Sequence, residues 1–128
     1  MKLKILPPTL RANNRYLTLD IKSEDKLDKD KLVSVIWHGS LRLYGEIETS
    51  AFNLWLMRFY DLSNNNSPKN NNDLDYYHFK AILRCQRGYE DKVRGSLALL
   101  ANYNNKKIAI STIGISGTIA SSIEKFIN

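Results

Sequence analysis

The chain has 128 residues, 43% hydrophobic and 25% charged, an ordinary balance for one soluble globular domain. Its formal net charge of +6 favours a polyanionic partner such as nucleic acid. A single cysteine, Cys85, excludes an internal disulfide framework and a multi-cysteine zinc site, and no apolar run reaches the ~20 residues of a membrane span.

Residues 1–14 read as an extended N-terminal tail, because Pro7-Pro8 blocks helix and holds the preceding backbone extended. Arg15 to Lys22 alternates, with Leu17, Leu19 and Ile21 on one face and Tyr16, Thr18, Asp20 and Lys22 on the other, the pattern of a half-buried strand. Asp28 is the expected N-cap of a helix from Lys29 to Tyr44, with Asp30 in the first turn where the helix dipole favours an anion. Its apolar stripe is Leu32, Val33, Ile36, Trp37, Ser40, Leu43 and Tyr44, and Gly45 is placed to end it in a left-handed conformation.

Leu54 to Asp61 reads as a second strand, with Trp55, Met57 and Phe59 sharing a face. Residues 63–75 are Asn-rich and hold too little apolar surface to pack, so a mobile loop is expected there. Tyr77 to Cys85 is a third strand, with Tyr77, Phe79, Ala81 and Leu83 as its apolar set. A second helix is expected over Tyr89 to Tyr103. Gly95 in its middle costs about 1 kcal/mol against alanine, which points to a close approach at that position. Asn104-Asn105 turns the chain, Lys107 to Ile115 forms a fourth strand, and Ile119 to Phe126 a short terminal helix.

This order predicts an α+β, ferredoxin-like or RRM-like split βαβ fold spanning residues 1–128 as one domain. It has a four-stranded antiparallel sheet, two crossover helices on one face, and a short C-terminal helix. The other sheet face is expected to stay open or to meet a partner.

No catalytic constellation accompanies the fold. His38 and His78 lack ligand-like spacing, and Ser116 in "GISG" has no Asp and His to serve it. Cys85 ends an apolar strand and reads as a packed thiol. The carboxylate pairs Glu46 with Glu48 and Glu90 with Asp91 lack an apolar setting that would tune them for acid–base work. The third strand, "YYHFKAILRC", lacks the glycine pattern with which RNA-recognition motifs stack bases on the sheet. Distributed cations remain: Arg11, Arg15, Arg84, Arg87, Lys106 and Lys107, whose guanidiniums and ammoniums suit phosphate contacts that position without reading sequence. Gly114 and Gly117 permit a tight turn after the fourth strand, and Ser116 or Thr118 can cap the terminal helix.

Three stretches, "LPPTLRANNRYLTLDI" (Leu6 to Ile21), "AILRCQRGYEDKVRGSLALL" (Ala81 to Leu100) and "TIGISGTIASSIEKF" (Thr112 to Phe126), resemble the archaeal ribonuclease P protein component 2 family, a relative of the eukaryotic nuclear ribonuclease P and MRP small subunit. The resemblance implies an RNA-binding subunit of the endoribonuclease that removes the 5′ leader from precursor tRNA, with catalytic magnesium on the RNA and no cofactor bound by this chain. It implies ribonuclease P RNA, protein component 3 and other holoenzyme proteins as partners; the lone cysteine and the lack of a signal-peptide or membrane-spanning run point to the cytoplasm, without a membrane. The RNA-contact candidates are Arg11, Arg15, Arg84, Arg87 and the turn Ser116-Gly117-Thr118. The chain departs from the family in its long 63–75 segment and in placing Ala120, Ser121 and Ser122 where basic residues commonly follow the turn. A stand-alone acylphosphatase-like enzyme and a protein–protein adaptor are the alternatives on the same fold.

Overall fold

The computed structural model describes residues 14–62 and 76–127. Arg11, the rest of the N-terminal tail and the 63–75 segment therefore lie outside the described residues. In chain order the elements are β1 (Asn14–Ser23), α1 (Lys29–Ala51), β2 (Trp55–Asp61), β3 (Tyr77–Gln86), α2 (Glu90–Ala98), β4 (Asn102–Tyr103), β5 (Lys106–Ser116) and α3 (Ile119–Ser122). A π-helical turn, Ile123–Ile127, continues α3. The sheet order is β2-β3-β1-β5-β4, antiparallel throughout. The four long strands have the ferredoxin-like arrangement, and β4 is an added fifth strand paired only with Lys106 and Lys107.

The β1–β3 register runs unbroken from Asn14 opposite Gln86 to Ser23 opposite Tyr77. Side chains alternate along a strand. One parity therefore sends Leu17, Leu19, Ile21, Phe79, Ala81 and Leu83 into the core beneath α1 and α2, where all are essentially inaccessible to water. Burying each large member contributes about 1.5–3 kcal/mol. From α1 the core takes Leu32, Val35, Ile36 and Gly39, so the buried stripe is rotated from the expected one: Leu43 is exposed and Val33 and Trp37 only half-buried. Gly39 belongs to this stripe, and a Cβ there would come within 2.8 Å of the Leu100 side chain. The close approach expected at Gly95 is found here instead; nothing lies within 4 Å of a Cβ on Gly95.

Asp28 caps α1 as expected, its carboxylate accepting from the Lys31 amide at 2.8 Å. Gly45 does break the helix, with φ 81° and ψ 178°, but helix resumes and continues to Ala51. A buried hydrogen bond of 2.9 Å between the Ser40 and Thr49 hydroxyls ties the two segments together. The second crossover helix is shorter than expected. Asn104 and Asn105 both take positive φ, 53° and 66°, as a two-residue hairpin turn of type I′ requires. Such a turn needs strand on both sides, so Asn102-Tyr103 leave the helix and pair with β5.

Two bulges reset the strand alternation. Between Leu56 and Arg58 the β2–β3 register shifts, so Trp55 lies opposite Arg84 while Phe59 lies opposite Ala81. Trp55 and Phe59 thus occupy opposite faces, against the expectation that they share one. In β5 the register with β1 shifts between Thr112 and Gly114, leaving Ile113 as the extra residue.

Candidate nucleic-acid interface

The sheet face away from α1 and α2 carries the other parity of each strand. From the register it presents Tyr16, Thr18, Asp20 and Lys22 of β1, and His78, Lys80, Ile82 and Arg84 of β3. Trp55, Arg58 and Tyr60 of β2, and Ala109, Ser111, Gly114 and Ser116 of β5, complete it. This face is not fully open. Gly114 lies under the ring of Phe126: a Cβ there would fall 2.0 Å from the ring's Cζ. The Lys80 ammonium donates to the Phe126 carbonyl at 3.1 Å. Thr18 and Ile82, in the same row as Gly114, are fully buried although they point away from the main core. The terminal segment therefore covers the middle of the face.

What remains exposed is its rim. Trp55 of the edge strand β2 is 60% exposed, and the Arg84 guanidinium lies 5.8 Å from its ring centroid, within cation–π range. The row continues through Tyr16 to Ser116, so Trp55, Arg84, Tyr16 and Ser116 run side by side across four strands. The face bears four cations, Lys22, Arg58, Lys80 and Arg84, against one carboxylate, Asp20. That carboxylate is held by His78 Nε2 at 2.6 Å.

Of the expected RNA-contact residues, those among the described residues come to one end of the sheet but not to one face. Arg84 and Ser116 share the face away from the helices. Arg15, one residue out of phase with Tyr16, faces the helices, where its Nε lies 4.0 Å from the Glu90 carboxylate. Arg87 is exposed in the turn before α2, beside Gly88 at φ 98°. The Ser116-Gly117-Thr118 turn is a helix cap: Thr118 Oγ1 accepts from the Ser121 amide at 3.1 Å, and Ser116 Oγ donates to the Thr118 carbonyl at 3.2 Å. Its hydroxyls are engaged within the chain. Trp55, Arg58, Tyr16 and Lys80 also lie on this candidate face, and none of them is among the contacts expected from sequence. Tyr16 and Lys80 were visible in the strand alternation, but the bulge at Met57 concealed the facing of Trp55.

Groups able to make or break bonds are occupied elsewhere. The Cys85 thiol is buried, and that burial, reinforced by the Glu90 charge and partly offset by Arg15, pushes its pKa up to about 12. Glu90 accepts from the Gly88 amide at 2.9 Å and pairs with Arg15. Glu48 pairs with Lys92, whose own pKa that contact raises. Among the described residues no group of three or more His, Cys, Asp or Glu is placed to hold a metal, and no helix is long and apolar enough to cross a membrane.

Residues 15–127 match the model of the Rpp14/Pop5 family. The chain belongs to that family. It is 53% identical over 127 residues to ribonuclease P protein component 2 of Methanobrevibacter smithii, covering 99% of this chain and 98% of that one. It is 42% identical over 125 residues to the protein of the same name from Methanothermobacter thermautotrophicus, covering 98% of this chain and 94% of the relative. With that of Pyrococcus abyssi the identity is 38% over 128 residues, covering 100% and 96%. The Rpp14/Pop5 match begins at Arg15 and takes in the strand row, both crossover helices and the capped terminal segment.

Proposed function

We propose that this chain is a protein subunit of ribonuclease P, the endoribonuclease that removes the 5′ leader from precursor tRNA. The observation that carries this reading is family membership over residues 15–127, with end-to-end relatives named ribonuclease P protein component 2. In the holoenzyme the hydrolytic chemistry belongs to the RNA and its magnesium ions, and this chain is a non-catalytic component that binds and shapes the RNA in the cytoplasm. Protein component 3 is its partner in that task. The relatives favour this reading over the acylphosphatase-like and adaptor alternatives.

The geometry supports a binding role. Four cations over one hydrogen-bonded carboxylate make a face suited to phosphates, and arginine forks bind phosphate oxygens in pairs. Such contacts release counterions, so affinity should fall steeply with salt. The test is reconstitution. With component 3 and the cognate RNA, this protein should lower the magnesium needed for precursor-tRNA cleavage. Arg84→Ala and Arg87→Ala should weaken assembly while leaving the fold intact. Cleavage unchanged by the protein, in a mixture where the remaining components are competent, would sink the reading.

A further inference from the structure

We propose that Trp55 and Arg84 form a stacking site for one unpaired nucleotide of RNA. The proposal rests on the RNA-subunit reading above and gives that binding a particular place and chemistry.

A tryptophan is usually largely buried. Trp55 is 60% exposed on an edge strand, and the bulge at Met57 is what turns it away from the core that takes Phe59. Its neighbour across the strand is a cation, not an apolar side chain: Arg84 lies 5.8 Å from the indole centroid. Arg84 makes no ion pair among the described residues, and its Nε is buried without a hydrogen-bond acceptor. The guanidinium is therefore placed by packing but uncommitted to a carboxylate. Phosphate oxygens are the acceptors that suit it.

The indole supplies what a base needs, an exposed π surface beside a positive charge. Every base has a π face, so such stacking tolerates any sequence. Trp55 also borders a mostly apolar cleft of about 310 Å³ between α1 and β2, where Val33, Ile36, Trp37 and Leu54 are joined by Lys29 and Asp30. The usual sheet-face alternative is closed. Tyr77 and Phe79 of β3 stack within the core side, and Phe126 lies over the middle of the opposite face. Charge selects the occupant. With Arg58 exposed on the same face as Arg84, a polyanion is favoured over an apolar protein anchor.

The test uses the full chain carrying Trp37→Phe, so that Trp55 is the sole indole. Oligouridylate and the cognate ribonuclease P RNA are titrated separately, with emission and affinity both followed. The expected result is saturable quenching of Trp55 by both RNAs. Trp55→Ala should weaken binding roughly 5- to 100-fold, the range of base–aromatic stacking, with Trp55→Phe retaining most of the affinity. Arg84→Ala should lower the salt slope by about one. Thermal melts of each variant check that the exposed substitutions leave the fold intact. Wild-type RNA affinity in Trp55→Ala, with Trp55 emission unmoved by RNA, would overturn the stacking site and leave the subunit reading standing. Loss of a holoenzyme protein, rather than of RNA, from Trp55→Ala would also overturn it, by making the site a protein contact. If the parent chain binds neither RNA, the subunit reading and this site fall together.

Discussion

Gly114→Ala tests how the terminal segment is held on the sheet. Two effects of opposite sign compete at this position. Gly114 is in a strand and its φ lies outside the left-handed region, so alanine fits the backbone. Removing a glycine's freedom from the unfolded chain then stabilises by about 0.4–1 kcal/mol. Against this, the new Cβ would stand 2.0, 2.3 and 2.4 Å from three atoms of the Phe126 ring. Carbon contacts relax at about 3.5 Å, so the ring must retreat by about 1.5 Å. The backbone that carries it is held in place, the Phe126 carbonyl accepting from Lys80 at 3.1 Å, so the retreat must come from the side-chain torsions or from undocking of the segment. Overpacking of this kind costs about 1–3 kcal/mol, which outweighs the entropic gain. Gly114→Ala should therefore destabilise by about 1–2 kcal/mol in the parent chain. In a Phe126→Ala background the clash is gone, and the same change should stabilise by about 0.5 kcal/mol. Urea unfolding of the four proteins reads the cycle, whose interaction energy should be about 2 kcal/mol. Hydrogen exchange should show loss of protection confined to the terminal segment if it undocks instead of straining. An equal effect of Gly114→Ala in both backgrounds would refute the reasoning.

Gly95→Ala should raise stability by about 0.5–1 kcal/mol, seen as a higher melting temperature, because its Cβ meets nothing within 4 Å and the site is mid-helix. Thr49→Val removes one partner of the buried 2.9 Å hydroxyl pair and leaves Ser40 unsatisfied, costing about 1–3 kcal/mol by urea unfolding. The double change Ser40→Ala with Thr49→Val should recover most of that loss. Cys85 should resist alkylation at pH 8 in the folded chain, since its pKa is pushed up to about 12. The fold favours the neutral thiol, so its stabilising contribution is whole below the unfolded value of 9.0 and is lost as pH rises from there toward 12. Stability measured across that window should fall less steeply in Cys85→Ala.

Sequence pattern located the elements well wherever one rule acted alone. β1 and β3 pair without a bulge, so period-two alternation assigned Leu17, Leu19, Ile21, Phe79 and Leu83 to the core directly. Asp28 and Thr118 cap by short-range hydrogen bonds that depend only on neighbours in the chain. The errors arose where a second rule intervened. A one-residue bulge at Met57 inverted the facing of Trp55, and alternation carries no mark of where pairing slips. The positive φ of Asn104 and Asn105 committed Asn102-Tyr103 to a hairpin that helical periodicity had absorbed. Glycine was read as a sign of close approach at Gly95, when the approaches are at Gly39 and Gly114. Their partners, Leu100 and Phe126, are distant in sequence or separated by a turn, and only the tertiary packing identifies them. On the sheet, Arg84 and Arg15 look equivalent in sequence, but only Arg84 lies on the face away from the helices. The parity of a single strand position sends Arg15 to Glu90 on the helix side instead.

The covered sheet explains why a ferredoxin-like chain with this charge need not bind RNA as other open-faced sheets do. An open sheet offers its central strands, where bases can lie flat on aromatic residues. Here β3 turns its aromatic residues inward, and the row Ile82, Thr18 and Gly114 is sealed by the terminal segment. The first follows from strand parity and the second from Gly114, since a side chain there would displace Phe126 and reopen the face. Two of the cations are spared by this arrangement. Arg58 stays exposed, Arg84 stays beside Trp55, and Lys80 itself helps fasten the cover. The cations left uncovered lie around the segment, Arg58 on the edge strand and Arg84 at the end of β3. A rim suits the phosphate backbone of a large folded RNA better than a short single strand drawn across a platform, because backbone contacts need reach and charge instead of a flat surface. One exposed indole at that rim is then the place where an unpaired base can be held, and removing it separates contact with RNA backbone from contact with a base.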